Sequence, residues 1–255
     1  MEETLHVVKE CELPALKDWL EKFLPDSFRC YLYYSEPRTT SVFSPEPPNL
    51  EKLLLWPGFL DWSQPIIFQG VSSRLTHSIS KMAASQGGNC RIYHYVLYKA
   101  TQSEIPLRPI PEGFRIDALD PDLHTDYILS TWSHVRKNTD VYVREALRRL
   151  PSVGLFDKDG QCIGVEAGTD YGSIGMLHVQ EAFRGRGLGK VITSQLAHKY
   201  FCDGLPVIAL AGKDNESSLR MHTSCGFKEV GFADWLFYNV GDEREFDEKV
   251  GYKGP

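Results

Sequence analysis

The stretch that most constrains this chain is Leu177-His178-Val179-Gln180-Glu181-Ala182-Phe183-Arg184-Gly185-Arg186-Gly187-Leu188-Gly189-Lys190. A strand-like segment, Ser173–Gln180, meets a loop with three glycines, and that loop opens a helix from about Leu188 to Tyr200. Leu188, Val191, Ile192 and Leu196 form the apolar stripe of a helix with one buried face. Glycines let a backbone approach a ligand closely, and the first amides of a helix have no partner inside it. Those amides and the helix dipole favour a phosphate, and Arg184, Arg186 and Lys190 add positive charge. The segment therefore reads as a diphosphate cradle. It is not a dinucleotide loop, because the third glycine of G-x-G-x-x-G would fall at Lys190. Nor is it the G-x-x-x-x-G-K-[ST] loop of nucleoside triphosphatases.

The flanking pattern supplies the fold class. After Pro111 come a short strand (Phe114–Ala118), a helix capped by Asp120 and running to about Val135, and a second helix over Val141–Leu150. Val153–Asp157 and Gln161–Gly168, joined by an Asp-Gly turn, read as a hairpin. Pro206–Ala211, Glu216–Ser224 and Lys228–Asn239 complete a strand-helix-strand ending. Before Pro106, Leu13–Phe23 and Leu75–Ser85 read as helices, and Phe28–Tyr34, Pro65–Gly70 and Cys90–Ala100 as strands. Ser44-Pro45-Glu46-Pro47-Pro48-Asn49 reads as a loop or linker. The expectation is an α/β fold: a mixed sheet with helices on both faces. Its units would be 1–105, 112–240 and a charged flexible tail, 241–255.

Composition narrows the partners. The 255 residues hold 28 Lys and Arg against 34 Asp and Glu, a net charge of −6, which disfavours nucleic acid and anionic membranes as general partners. No apolar run nears the roughly 18 residues that span a bilayer. Met1-Glu2-Glu3 lacks the basic and apolar regions of a secretory signal and the arginines of a transit peptide, so the sequence points to an intracellular, cytoplasmic protein. The six cysteines include no C-x-x-C pair, so no metal site is expected, and they read as reduced, mostly buried thiols.

Arg184-x-x-Gly187-x-Gly189 resembles the R-x-x-G-x-G/A motif of the GNAT acyltransferase superfamily. Downstream, Asn215-Glu-Ser-Ser218-Leu-Arg-Met-His222-Thr-Ser-Cys-Gly226-Phe227 is similar to that superfamily's N-x-x-S/A-x-x-x-Y-x-x-x-G-F pattern. Trp132 with its two helices, Phe59-Leu60-Asp61-Trp62, the strand Ile66–Gly70 and the Leu20–Leu32 stretch resemble the glycine N-acyltransferase family more narrowly. The resemblance implies a GNAT-like fold with two GNAT-like halves. It implies acyl-coenzyme A as co-substrate, no metal, and transfer of the acyl group to glycine, another amino acid or another small amine. Alternatives are a coenzyme-A-binding regulatory or interaction protein without catalysis, and a protein N-acetyltransferase. By the same resemblance a mitochondrial location stays open.

The implied coenzyme A residues are Leu177, His178, Val179 and Gln180 on the strand, Arg184 through Lys190 in the loop, and Asn215 and Ser218 downstream. Asn215 also fits a helix cap. His222 stands where the family places a tyrosine near the leaving sulfur, either as an acid or as a packing residue. Glycine-conjugating relatives carry a carboxylate beside the glycine matching Gly172; Ser173 takes that place here and cannot act as a base. Asp170, Glu166 and His178 are the alternative bases, unless water or an already neutral amine makes one unnecessary. Trp56, Trp62, Trp132, Trp235 and the tyrosines either line a channel or fill the core.

Overall fold

The computed structural model describes residues 8–22, 39–135 and 138–241. The expected strand at Phe28–Tyr34, the stretch from Phe23 to Leu32 and the tail beyond Gly241 lie outside the described residues. Among the described residues nine strands form one sheet: β1 (Thr39–Thr40), β2 (Ile66–Ser72), β3 (Asn89–Ala100), β4 (Arg115–Asp117), β5 (Ser152–Phe156), β6 (Cys162–Gly168), β7 (Ile174–Val179), β8 (Val207–Gly212) and β9 (Lys228–Asn239). Their order is β1-β2-β9-β3-β8-β7-β6-β5-β4. The helices are α1 (Leu13–Glu21), α2 (Pro47–Leu54), α3 (Ser73–Ser85), α4 (Pro121–Thr131), α5 (Thr139–Arg149), α6 (Leu188–Cys202) and α7 (Glu216–Cys225).

Alternation along β6 assigns the layers. A side chain added at Gly164 or Gly168 would meet Ile192 or Tyr200 of α6, while Val165 and Ala167 pack with α4 and α5 on the other face. Under α6 lies the larger core, with Ile192 and Leu196 fully buried. Each contributes roughly 1.5–3 kcal/mol by leaving water. A second core joins α2 and α3 to β2 and β9 through Leu50, Leu54, Phe68, Ile79 and Tyr238.

The two halves repeat one plan. β2 and β3 are each antiparallel to β9, so they run parallel to one another, with α3 between them in sequence. β7 and β8 are likewise parallel, with α6 between them. Each leading strand has a left-handed residue where its ladder slips: Gly70 (φ 59) in β2 and Met176 (φ 58) in β7. The halves are also laced together, since β3 pairs with β8 and β9 with both β2 and β3.

The structure corrects the sequence reading in three places. Pro47 and Pro48 start α2 instead of prolonging a loop, because proline fits the first helical turn, where its missing N–H costs nothing. The Asp120-capped helix ends at Thr131; Trp132 is already extended. Of the five described cysteines only Cys225 is buried, while Cys11 and Cys202 are exposed.

Candidate functional site

β7 and β8 touch at one register point, Ile174 opposite Ala209, and then part. Beyond that point β7 stays paired with β6 and β8 with β3, so the facing edges of β7 and β8 form a wedge. Buried backbone groups demand partners. An edge left open between two strands is therefore a template for an extended ligand that carries amides of its own. Met176 sharpens the wedge. Its left-handed backbone breaks the alternation of β7, so Ile174 packs in the core under α6 whereas Met176 packs with α4 and α5.

At the far end of β7 the chain turns through residues 180–187 into α6. Gly187 is the N-cap in a left-handed conformation and has no side chain to cap the helix. The first donors of the turn, the amides of Lys190 and Val191, go to the Gly187 carbonyl. Among the described residues no acceptor meets the amides of Gly187, Leu188 and Gly189. Gly189 has ordinary helical backbone, and a Cβ there would lie 3.9 Å from Leu177 and Val179, a comfortable contact. Folding thus does not require glycine at 189, and its lack of a side chain leaves the first turn of α6 open to close approach. Arg184 Nε donates to the Val179 carbonyl (2.8 Å), and Arg186 donates to the Ala182 carbonyl (3.1 Å) over the Phe183 ring. Both guanidinium groups are thereby anchored, exposed and cationic beside the bare amides.

The wedge opens into a cavity of about 350 Å³. Ile174, Gly175, Met176 and Leu177 form one wall, Leu210, Ala211 and Gly212 another, with Asn215 and Ser218 behind. Its floor and roof are aromatic: Tyr93, Tyr95, Trp235 and Phe237 from β3 and β9, and Trp132 and Tyr142 from the α4–α5 side. The loop 169–173 supplies Asp170, Tyr171 and Ser173. Tyr142 Oη donates to Asp170 Oδ1 (3.0 Å), and burial, with Tyr171 and Asp170 adding to it, holds that phenol protonated far above its usual range. Ser173 is buried, its hydroxyl 3.0 Å from that of Thr169. Asn215 caps α7 by accepting from the Ser218 amide (3.0 Å).

Of the residues singled out from sequence, the cavity gathers Leu177, Asp170, Asn215 and Ser218. Arg184, Gly185, Arg186, Gly187, Leu188, Gly189 and Lys190 form the turn into α6 at the other end of β7. Four others lie elsewhere. Glu166 is buried beneath α6, both carboxyl oxygens lacking a hydrogen-bond partner. Burial raises its pKa to about 8; Thr193 only partly offsets this, since its hydroxyl turns to Met221 Sδ at 4.0 Å. His222 is buried, stacked on Tyr98, with Nδ1 2.8 Å from the Ser218 carbonyl; burial lowers its pKa and that carbonyl opposes the fall. His178 packs edge-on against Tyr127, its pKa lowered by burial and then by the Arg184 cation. Gln180 is tied to β6, its side chain to the Cys162 carbonyl and its amide to that of Ile163.

Trp132 and Trp235 line the cavity, whereas Trp62 packs on Tyr238 in the second core. Tyr142 and the left-handed Met176 escape sequence reading, since spacing carries no signal for either. Among the described residues no three His, Cys, Asp or Glu side chains gather as for a metal, and no helix is long and apolar enough to cross a membrane.

Residues 152–236 match the family model described as FR47-like protein. A Drosophila protein of known structure superposes with a TM-score of 0.73 over 90% of both chains at 17% identity. A GNAT-family acetyltransferase from Colwellia psychrerythraea does so with a TM-score of 0.54, covering 91% of this chain and 97% of its own, at 11% identity. The fold is that of the GNAT superfamily. In sequence, the chain is similar to human glycine N-acyltransferase, 20% identical over 202 residues that make up 72% of this chain and 68% of the relative.

Proposed function

We propose that this chain is an acyl-CoA-dependent N-acyltransferase acting on a small amine, of the kind that transfers acyl groups other than aminoacyl. The observation that carries the reading is the unpaired edge of β7, which leads from a turn of bare amides and cations to a cavity of about 350 Å³. Coenzyme A has the matching order of parts: a diphosphate for the amides of 187–189, an amide-bearing arm for the wedge, and a thioester at the cavity. In this reading a β7 amide near Met176 polarises the thioester carbonyl. The amine lone pair forms the new C–N bond, the C–S bond breaks with its electrons on sulfur, and the ammonium proton leaves by way of Asp170. Ser218, whose hydroxyl is 3.3 Å from His222 Nδ1, faces the departing sulfur, which then takes up a proton. Asp170 is preferred as proton acceptor over Glu166 and His178 because it alone of the three faces the cavity. The human relative makes glycine or another amino acid the first acceptor to try.

Thiol release from acetyl-, benzoyl- and longer acyl-CoA, measured across a panel of amines, tests the proposal. Bound coenzyme A with silence across the whole panel would instead favour a coenzyme-A-binding regulatory protein, a reading that the buried, hydrogen-bonded hydroxyl at Ser173 keeps in play. A peptide acceptor is disfavoured by the size of the cavity, which lies near the small end of the roughly 300–1,000 Å³ typical of small-ligand sites.

A further inference from the structure

We infer that the acyl arm of the thioester lies over the N-terminal half of the sheet, where Gln69 selects acyl groups that carry a neutral hydrogen-bonding group at the far tip. The inference rests on the transferase reading above and adds the class of acyl donor. The cavity runs across the sheet. From the wedge at β8 its floor passes over Tyr95 and Tyr93 of β3 and Trp235 and Phe237 of β9 to Gln69 of β2. Tyr93 stands opposite Trp235, and Gln69 follows Phe68, which stands opposite Leu236. β2 is three strand spacings from β8, roughly 14 Å. Asp170 stands toward the other end, since its partner Tyr142 packs with Val165 and Met176 over β6 and β7. A thioester carbon held near Met176 has three directions to fill. The sulfur lies toward the wedge and the attacking amine toward Asp170, so the acyl arm takes the third, over β3 and β9.

Rings pave that path. Tyr95 meets Trp235 with ring centres 4.7 Å apart, and Tyr93 meets Phe237 at 5.3 Å, so the arm itself lies against apolar surface. Gln69 ends the path with a carboxamide where packing alone would take an apolar side chain. β2 is buried along its whole length, and Ile67, two residues earlier on the same face, packs with Phe237. Gln69 is 6% exposed. The backbone is arranged to aim it: Gly70 is left-handed and the ladder slips between Phe68 and Val71. Phe68 and Val71 therefore both pack in the core with α2 and α3, while Gln69 lines the cavity. Burying a polar group costs free energy unless it is hydrogen-bonded. A carboxamide has two N–H donors and a carbonyl with two lone pairs, so Gln69 can keep a partner in the chain and still bind a ligand atom. It carries no charge and can bond a hydroxyl in either direction, which matches a neutral polar tip.

The test measures tip recognition apart from turnover. The full chain is titrated, without amine, with hexanoyl-, octanoyl- and decanoyl-CoA and with the same three carrying a terminal hydroxyl. Calorimetry and tryptophan fluorescence are the readouts. A hydroxyl buried without a partner weakens binding, so a gain marks a partner at that distance. At one chain length the hydroxylated form should bind at least about threefold more tightly than its parent, and at the other lengths it should gain nothing. Gln69→Met keeps the side-chain size and removes the amide; it should reverse the preference, moving the ratio at least about tenfold. Coenzyme A alone, too short to reach β2, reports whether the variant is folded; if it is not, the length dependence of the wild type decides. A hydroxyl penalty at every length would overturn the inference, as would an unchanged ratio in folded Gln69→Met. Tip recognition without thiol release for any amine would sink the transferase reading and leave the acyl subsite standing. Thiol release without tip recognition would do the reverse.

Discussion

Glu166→Gln should make the protein more stable at neutral and alkaline pH, against the usual expectation for a buried residue. Glu166 is 1% exposed, its carboxyl oxygens meet no hydrogen-bond partner within bonding distance among the described residues, and its pKa rises from 4.5 to about 8 on burial. In the unfolded chain the group sheds its proton near pH 4.5; in the folded chain it keeps the proton to about pH 8. Between those values the folded state binds the extra proton, so stability falls as pH rises, by about 1.4 kcal/mol per unit. The ceiling over the window of 8 − 4.5 = 3.5 units is about 5 kcal/mol. Glutamine fills the same volume without an ionisable proton, so the variant should lack this slope. From pH 5.5 to pH 8 the advantage of the variant over wild type should grow by up to about 3 kcal/mol. At roughly 2–4 °C per kcal/mol for a chain of this size, that is a widening gap in Tm of about 6–12 °C. Thermal melts of both proteins followed by circular dichroism at half-unit pH intervals give the difference directly, and other titrating groups cancel in it. Parallel pH profiles would refute the reasoning: they would mean that water or local opening solvates Glu166 in the native state.

Gly189→Ala should keep or slightly raise Tm, since alanine is the better helix former by about 1 kcal/mol and its methyl meets only 3.9 Å contacts, yet coenzyme A affinity should fall at least about tenfold. Calorimetry of the pair decides, and intact affinity would remove the case for ligand approach at this residue. Arg184→Glu should weaken coenzyme A and flatten the salt dependence of its binding, which titrations at low and high salt would show. Ile192→Ala, emptying a fully buried site between α6 and β6, should cost about 2–5 kcal/mol in urea unfolding; a loss below about 1 kcal/mol would mean that the core collapses around the gap.

Much of the C-terminal half is legible in the sequence because its signals are local. The Lys228–Asn239 strand and the start of α6 at Leu188 fall where hydrophobic pattern and glycines place them. Asp120 caps its helix through the amides of Asp122 and Leu123, as its residue type foretells. The candidate site is legible only in part. The turn proposed to hold a diphosphate announces itself through glycines and arginines, whereas the cavity is assembled from β3, β9, α5 and the 169–173 loop, segments far apart in the chain. No spacing rule brings Tyr142 to Asp170. Glu166, a plausible base by residue type, proves to face α6, because one step along a strand moves a side chain to the opposite face of the sheet.

The repeated plan of the two halves bears on why the candidate site lies in the C-terminal one. In each, a strand with a left-handed residue leads into a helix and then a parallel strand, the arrangement that can leave a wedge between the strands. In the N-terminal half β9 lies between β2 and β3 and takes up their edges, and β2 passes into α3 at Ser72–Ser73 with no intervening turn. Among the described residues that half has neither an open wedge between its two parallel strands nor a glycine-lined approach to the first amides of its helix. In the C-terminal half residues 180–187 stand between strand and helix, and nothing in the described chain fills the wedge. The strand that closes the first half also sends Trp235 and Phe237 into the cavity of the second. The N-terminal half thus shares in the cavity of the C-terminal one, through the same strand that closes its own cleft.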